Sequence, residues 1–313
     1  MKIYNSLNKK KFPLGCICAI GNFDGVHLGH QLILKKLKKE ADLHKLPSVL
    51  LTFFPHPLKV LFPKKNIKLI CTREQKLREI QKHSIDYLIE IPFDEIFSKI
   101  KAEEFVLEIL LKKLNSKKVI VGKNFNFGYK KSGDPNLLKK LGKKYGFSVS
   151  IITPLNYKET NISSTNIRSL LFKGKIEKAN EMLGRLYSIR GKVIEGMKRG
   201  KKIGVPTINL KCHNDLLLNE GVYSGYTIIG KNKKKYLSAI SIGENPTFED
   251  QKISIEANLI DFKKDIYGKE VEIYFFSKLR KQKKFKNVKR LVENIKKDIE
   301  IVKSLKDQIL YGA

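Results

Sequence analysis

The hydrophobic pattern of this chain changes near its middle, and that change constrains the fold more than any other feature. Before residue 184, short apolar runs alternate with segments whose apolar residues recur at helical spacing. Such alternation is typical of a parallel α/β sheet. The predicted strands are 15–20, 48–54, 86–91, 118–121 and 147–152, and the predicted helices lie around 32–41, 77–83, 102–114, 136–144 and 177–183.

Beyond residue 187 the pattern is that of an all-β domain. Short strand-like segments are separated by turn residues, as in a β-barrel or β-sandwich. They are 187–195, 207–210, 221–229, 236–242, 253–259 and 270–276. A C-terminal amphipathic helix follows, with Val288, Leu291, Val292, Ile295 and Ile299 on one stripe. We therefore expect two domains, 1–184 and 185–313.

The charge balance raises the question of a nucleic-acid partner. The chain has 313 residues and a formal net charge of +32, and basic surfaces bind phosphate backbones. The lysines are nevertheless spread along the whole chain without a block of like charge. We expect no nucleic-acid partner, and a basic nucleic-acid-binding protein is kept as the alternative from another class. The sequence does not set the oligomeric state.

The cysteines and the apolar runs indicate the cellular location of the protein. Cys16, Cys18, Cys71 and Cys212 include no C-x-x-C pair, so neither a disulfide framework nor a redox motif is indicated. Cys16 and Cys18 lie in an apolar run and are expected to be buried in a strand. There is no signal-peptide pattern, and the apolar runs are far shorter than the roughly 18 residues of a membrane span. We expect a cytoplasmic protein without a membrane partner.

The first predicted strand runs directly into the segment GNFDGVHLGH, residues 21–30, where a helix opens. A glycine-containing turn from a strand into a helix is where α/β sheets bind phosphates, because the helix N-terminus offers unpaired N–H groups. His27 and His30 are one helical turn apart and can both donate to phosphate oxygens. Gly29 leaves room for a phosphate near the backbone. Orientation and charge stabilisation suffice for nucleotidyl transfer.

The H-x-G-H pattern is specific. With six His and 21 Gly in the chain, it is expected by chance only about 0.008 times. Two other interpretations stay open: the histidines can cap a helix, or they can ligate zinc as an i, i+3 pair. No third zinc ligand lies close in the sequence.

Several motifs together resemble the bacterial bifunctional riboflavin kinase/FAD synthetase family. In the first half they are GNFDGVHLGHQ, TFFPHPLKVLFP (52–63), VGKNFNFGYKKSGD (121–134) and ISSTNIRSLL (162–171). In the second half they are GKKIGVPTINL (200–210), GVYSGY (221–226), SIGENPTF (241–248), IEANLIDF (255–262) and DIYGKEVEI (265–273). The resemblance covers almost the whole chain, in the family's order.

The resemblance implies a Rossmann-like parallel-sheet nucleotidyltransferase domain at 1–184. An antiparallel β-barrel riboflavin kinase domain with a C-terminal helix follows at 185–313. It implies phosphorylation of riboflavin to FMN by ATP, then adenylylation of FMN by a second ATP to FAD with release of pyrophosphate. Retention of only one activity is the closer alternative. Riboflavin, FMN and ATP are the expected substrates, and Mg²⁺ the expected cofactor.

For the adenylyltransferase, the resemblance implies charge stabilisation by His27, His30 and Arg168. The residues expected at ATP and its phosphates are Gly21, Asn22, Phe23, Asp24, Gly29, Asn124, Ser163, Ser164 and Thr165. From the sequence, the three hydroxyl residues precede a helix and are also good N-cap residues, and Arg168 falls in its first turn. Asn166 stands where the family segment often has Arg.

For the kinase, Thr207 and Asn209 are two apart on a predicted strand and share a face, where their oxygens can hold Mg²⁺ and its phosphates. Ile208 stands where the family usually has Ala. Gly200 and Gly204 flank a basic loop that can cover ATP phosphates or be an ordinary turn. The resemblance implies that Glu256 is the general base for the riboflavin 5′-hydroxyl. It also places Arg280 in the flavin-side loop.

Overall fold

The computed structural model describes residues 1–7, 10–196, 204–230, 234–244, 253–283, 285 and 287–312. The chain divides into two compact units. The first comprises Met1–Ile67 and Arg73–Ser163, and the second comprises Lys68–Thr72 and Ser164–Ala313. The predicted division at 184/185 stays a prediction about the functional domains.

The first unit is built on a six-stranded parallel sheet. Its spatial order is β1-β4-β3-β2-β5-β6. The chain therefore leaves β2 towards β3 on one side, and later returns to pair β5 on the other side. The strands are β1 (Lys2–Tyr4), β2 (Cys16–Ile20), β3 (Ser48–Phe54), β4 (Tyr87–Pro92), β5 (Ser116–Gly122) and β6 (Ser148–Ile152). A two-stranded ribbon follows, of β7 (Asn156–Tyr157) and β8 (Thr160–Asn161).

Helices cover both faces of this sheet, because alternate residues of a strand point to opposite faces. Cys16, Cys18 and Ile20 belong to one apolar cluster, and Ile17 and Ala19 belong to the other. Burial raises the pKa of the Cys16 thiol to about 12. The helices are α1 (Leu28–His44), α2 (Pro57–Leu61), α3 (Arg73–Gln81), α4 (Glu95–Ser98), α5 (Ala102–Glu104, continuing as a π-helix over Phe105–Lys113) and α6 (Pro135–Tyr145).

The second unit contains a closed antiparallel barrel of six strands. Its spatial order is β10-β13-β12-β11-β14-β9. The strands are β9 (Tyr187–Ile194), β10 (Ile208–Cys212), β11 (Gly221–Ile229), β12 (Lys235–Glu244), β13 (Ile253–Leu259) and β14 (Glu270–Arg280).

Within the ranges that the structure describes, four helices accompany the barrel: α7 (Ser164–Phe172), α8 (Ile176–Leu183), α9 (Val288–Ser304) and α10 (Lys306–Tyr311). Val302 and Ile309 of the last two pack with Tyr226, Ala239 and Ile260 of the barrel. The buried side chain of Asn180 fastens α8, since it donates to the Phe275 carbonyl at 2.9 Å and accepts the Tyr187 N–H at 2.7 Å.

The predicted fold class is confirmed: a parallel α/β domain precedes an antiparallel barrel with a C-terminal helix. The bounds predicted for 48–54, 221–229 and 253–259 are those of the structure. Burial of Cys16 and Cys18 in a strand is also confirmed. The helix predicted over 102–114 is α-helical only over its first turn. In the described part of the chain, no helix combines the length and apolarity needed to cross a bilayer.

Candidate active sites

The turn from β2 into α1 has an unusual backbone. Phe23, Gly25 and Val26 have φ angles of +54°, +79° and +41°, a region that costs little for glycine but is rare for a β-branched side chain. Phe23 and Val26 are both fully buried, so packing holds the strained residues in place. Backbone of this kind clusters at functional sites.

His27 is the N-cap of α1. Its Nδ1 accepts the backbone N–H of His30 at 3.3 Å. Nδ1 must therefore carry no proton, and a neutral His27 bears its proton on Nε2. The capping interpretation is thus confirmed for His27, and the same contact makes Nε2 the nitrogen that carries the proton of the neutral ring.

The two imidazoles lie face to face. Their centroids are 3.6 Å apart at an interplanar angle of 16°, and the Phe23 ring lies 5.0 Å from that of His30. A Cβ on Gly29 would lie 3.3 Å from His27 Nδ1 and 3.7 Å from the Ile162 carbonyl oxygen. Gly29 therefore gives the His27 ring its room, and the backbone just before Ser163 lies against the same turn.

The neighbouring strand ends supply polar groups that the sequence analysis did not single out. Thr52 of β3 donates to the Asn22 carbonyl at 3.4 Å, and Lys76 Nζ lies 3.4 Å from Thr52 Oγ1. Lys76 is in turn 3.7 Å from Glu90, which is 3% exposed. The available signal for this cluster was Glu90, a carboxylate inside the apolar strand YLIEIP. Asp24 is also buried.

Asn124 is exposed in the turn that follows β5. Because β2 and β5 are adjacent and parallel, Asn124 and the histidine turn both follow the carboxyl ends of neighbouring strands. After β2 the chain continues to β3 on one side, whereas after β5 it continues to β6 on the other side. This is the topological switch point where open α/β sheets bind ligands.

The hydroxyl cluster at 163–165 differs from the sequence expectation. The helix begins at Ser164, so only Ser163 precedes it and Ser164 and Thr165 lie in its first turn. Arg168 is the fifth helical residue rather than part of the first turn, and its Nη2 lies 3.4 Å from Thr165 Oγ1. The helix starts earlier than predicted because short hydroxyl residues are tolerated in a first turn. In the division of the chain into two compact units, Ser164, Thr165 and Arg168 belong to the second unit.

The barrel brings the three predicted kinase residues together. Thr207 directly precedes β10, and its Oγ1 donates to Glu256 Oε2 at 3.2 Å. Asn209 is directly opposite Glu256 in the β10–β13 ladder. Asn209 is 9% exposed. A hydroxyl, an amide and a carboxylate thus share one end of two paired strands.

Two further residues lie beside this segment and escaped the sequence analysis. Asn258 Nδ2 donates to the Pro206 carbonyl at 2.7 Å. A Cβ on Gly196 would overlap the Asn209 amide nitrogen and lie 2.6 Å from its Cγ. Glu256 and Asn258 are two polar residues at strand spacing in an apolar run, which was the available signal. Gly196 could be found only once the strand register was known.

Three more residues were predicted for the kinase: Gly200, Gly204 and Arg280. Gly200 lies outside the described residues, and Gly204 is exposed with a φ of +78°. Arg280 is the last residue of β14 and not a loop residue. Its guanidinium donates to both carboxylate oxygens of the buried Asp298 on α9, at 3.0 and 2.7 Å. The strand extends further than predicted because this ion pair ties its end to the helix.

Thr207, Asn209 and Glu256 each offer a side-chain oxygen, the ligand atom that Mg²⁺ prefers. Among the described residues, no three His, Cys, Asp or Glu side chains form a metal cluster. Mg²⁺ is usually held by one or two side chains together with substrate phosphates. The residues present therefore fit a magnesium–nucleotide site.

Comparisons with known proteins cover both units. The family model of FAD synthetase matches residues 9–166, and that of riboflavin kinase matches 183–306. The chain is 41% identical over 307 residues to the bifunctional riboflavin kinase/FMN adenylyltransferase of Buchnera aphidicola from Schizaphis graminum, covering 97% of this chain and 98% of that protein. It is 32% identical to the bifunctional riboflavin kinase/FMN adenylyltransferase of Escherichia coli K12, covering 91% and 90%.

A solved structure is similar over the same length. The crystal structure of a protein described as a macrolide-efflux protein from Streptococcus pneumoniae aligns with a TM-score of 0.86 at 30% identity, covering 96% of this chain and 98% of that one. The family models match the parallel-sheet unit and the barrel in the order in which they follow one another. The chain belongs to the family of bifunctional riboflavin kinase/FMN adenylyltransferases.

Proposed function

We propose that this chain makes FAD from riboflavin in two ATP-dependent steps, the first in the barrel and the second at the edge of the parallel sheet. The observation that carries the proposal is that one chain contains both arrangements: the Thr207–Glu256 pair beside Asn209, and the stacked His27–His30 pair at the switch point. The family models of riboflavin kinase and FAD synthetase match the corresponding units.

In the kinase step, Glu256 accepts the proton of the riboflavin 5′-hydroxyl as that oxygen attacks the γ-phosphorus of ATP, and ADP leaves. The Thr207 hydroxyl donates to Oε2 of Glu256. This contact orients the carboxylate and leaves Oε1 to take the proton. Such positioning is most of what a protein contributes to phosphoryl transfer.

Thr207 and Asn209 are the residues that would hold Mg²⁺ with the ATP phosphates. A bound Mg²⁺ neutralises phosphate charge during transfer. Gly204 gives the chain entering this strand an exposed, left-handed turn, which places little side-chain bulk beside the phosphates. Arg280 remains a proposed flavin-side residue, acting while its guanidinium is braced by Asp298.

In the adenylyltransferase step, a phosphate oxygen of FMN attacks the α-phosphorus of a second ATP, and pyrophosphate leaves. His27 offers Nε2–H to the phosphates, and the ring of His30 lies parallel beside it. The turn residues 21–24, with Asn124, line the same carboxyl edge of the sheet. Ser163, Ser164, Thr165 and Arg168 are proposed as further phosphate contacts. Each stabilises charge that develops on the triphosphate.

The cytoplasm stays the predicted location of the protein.

A product assay tests both steps at once. Purified full-length protein is incubated with riboflavin, ATP and Mg²⁺, and FMN and FAD are separated and quantified over time. We expect FMN to form first and FAD to follow. Supplying FMN directly should give FAD without a lag. Accumulation of FMN alone, or conversion of FMN alone, would limit the protein to one step, and no product from either flavin would overturn the proposal.

A further inference from the structure

Asn258 lies on β13, two residues beyond Glu256, so both side chains are on the same face of the strand. It is 7% exposed. Its Nδ2 donates to the carbonyl of Pro206 at 2.7 Å, a short and well-formed hydrogen bond. Asn258 therefore contacts the backbone immediately before Thr207.

This contact continues the strand pairing past the point where the backbone ladder stops. The β10–β13 register pairs Asn209 with Glu256 and Ile208 with Ala257. The next position in that antiparallel register sets Thr207 opposite Asn258. Proline has no N–H, so position 206 cannot donate to a ladder. Pro206 can therefore offer β13 only its carbonyl, and the Asn258 amide donates to that carbonyl.

Thr207 is consequently fixed from β13 at two points. Asn258 holds the peptide that enters it, and Glu256 accepts its hydroxyl at 3.2 Å. Without the Asn258–Pro206 hydrogen bond, the residues before β10 lose the contact that fixes their position along β13. A shift of about 1 Å in a positioned group can cost roughly 100-fold in rate.

We propose that Asn258 is a positioning residue of the kinase step, which sets Thr207 for the magnesium-bound phosphates of ATP. The inference rests on the proposed kinase function. It assigns Asn258 no contact with substrate, because its amide is committed to the Pro206 carbonyl. The effect of losing it falls on nucleotide use and leaves the adenylyltransferase step unchanged.

The test compares three full-length variants with the wild type. Asn258→Leu keeps the same number of side-chain heavy atoms, branched at Cγ, and removes the donor. Asn258→His restores a donor on the atom attached to Cγ, at the same number of bonds from the backbone as the asparagine nitrogen. Asn214→Leu is the matched control: Asn214 is 8% exposed and also makes a side-chain bond to backbone, accepting the Arg190 N–H at 2.9 Å beyond the other end of β10.

The readouts are kcat and the KM values for ATP and riboflavin in FMN formation, the Mg²⁺ concentration for half-maximal rate, the FMN-to-FAD rate, and the thermal unfolding midpoint. For Asn258→Leu we expect kcat/KM for ATP to fall at least about tenfold, as for loss of a positioned hydrogen bond. More Mg²⁺ should be needed, and the FAD step should match wild type. Asn258→His should recover most of the loss. Asn214→Leu should lower the midpoint without changing either ATP or Mg²⁺ use.

The inference is overturned if Asn258→Leu lowers only the unfolding midpoint, as Asn214→Leu does, while ATP and Mg²⁺ use stay at wild-type values. Should Asn258→Leu not fold, Asn258→Ser, which is too short to reach the carbonyl, takes its place with the same expectations. A wild-type protein that makes no FMN removes the proposed function itself, which separates that failure from failure of the inference.

Discussion

Thr207 donates its hydroxyl to Glu256 at 3.2 Å, across the end of two antiparallel strands. The residues are 49 apart in sequence, and the pairing of β10 with β13 brings them together. Because the donor belongs to the proposed phosphate-binding segment, one hydrogen bond joins the group proposed to take a proton to the group proposed to hold ATP. Glu256 thereby has a fixed orientation before any substrate arrives.

Glu256→Gln should abolish FMN formation while preserving the fold. An amide cannot accept the hydroxyl proton, and loss of a general base typically costs 10²- to 10⁴-fold in rate, so we expect kcat to fall by about that factor. Conversion of FMN to FAD should continue at the parent rate. Steady-state assays of both steps on one preparation measure this. Glu270→Gln, an exposed barrel carboxylate paired with His213, is the control, and equal losses in both variants would contradict the assignment.

Substitution of His27 should separate helix capping from nucleotide chemistry. Asparagine is a preferred N-cap, so His27→Asn should keep the thermal midpoint near wild type, whereas His27→Ala should cost about 1 kcal/mol. Both variants lose the ring that stacks on His30. FAD formation from FMN should therefore fall about 100-fold or more in each, with the kinase step unchanged.

His44→Ala provides the control on the same helix. His44 lies at the other end of α1, where its Nδ1 is 2.8 Å from the Glu40 carbonyl. Its removal should leave FAD formation intact. If His27→Asn instead retains full FAD synthesis, His27 serves only as a cap.

Much of the fold was readable from hydrophobic period alone. Ser48–Phe54, for example, lies between Pro47 and Pro55 and is rich in the β-branched and aromatic side chains typical of strands. The three-residue β1 was missed because so short an edge strand has no period to detect. The π-helix over Phe105–Lys113 was missed because its wider hydrogen-bond spacing barely alters the spacing of apolar residues.

The site was readable where its residues are close in sequence. The H-x-G-H turn and the Thr207/Asn209 pair were found from local spacing. Asn258 and Gly196 lie beside the kinase residues only because of how the strands are paired. That cross-strand register is set by the whole barrel. The ion pair of Arg280 with Asp298 likewise depends on how α9 returns to β14. Contacts of this kind cannot be predicted from local sequence, because their partners are far apart along the chain.

Glu40 should make the stability of the first unit depend on pH in the acid range. Lys118 and Lys36 donate to its carboxylate at 2.7 and 2.6 Å and lower its pKa from 4.5 to about 2. The folded state therefore binds this proton less readily than the unfolded chain. The stabilisation is complete above the unfolded value and is lost as pH falls from about 4.5 towards about 2.

Glu40→Gln should lower the free energy of unfolding at pH 7 by about 1 to 2 kcal/mol. The figure is below that of the full pKa shift because Lys36 is 38% exposed and its interaction is screened by solvent. Urea unfolding from pH 7 to pH 2 should show a shallower acid decline for the variant. Glu108→Gln, which breaks the exposed pair with Lys112, should change little, and an equal effect would argue against the Glu40 assignment.

Gly196→Ala should disable the kinase by moving Asn209. The added methyl group would overlap the Asn209 amide, and such overpacking typically costs about 1 to 3 kcal/mol. FMN formation should fall about tenfold or more, since the displaced residue is a proposed magnesium ligand, and the FAD step should persist. A double-mutant cycle isolates the contact: in an Asn209→Ala background the amide is gone, so Gly196→Ala should barely change the unfolding midpoint. An equal drop in both backgrounds would show that the glycine is required by its own backbone and not by Asn209.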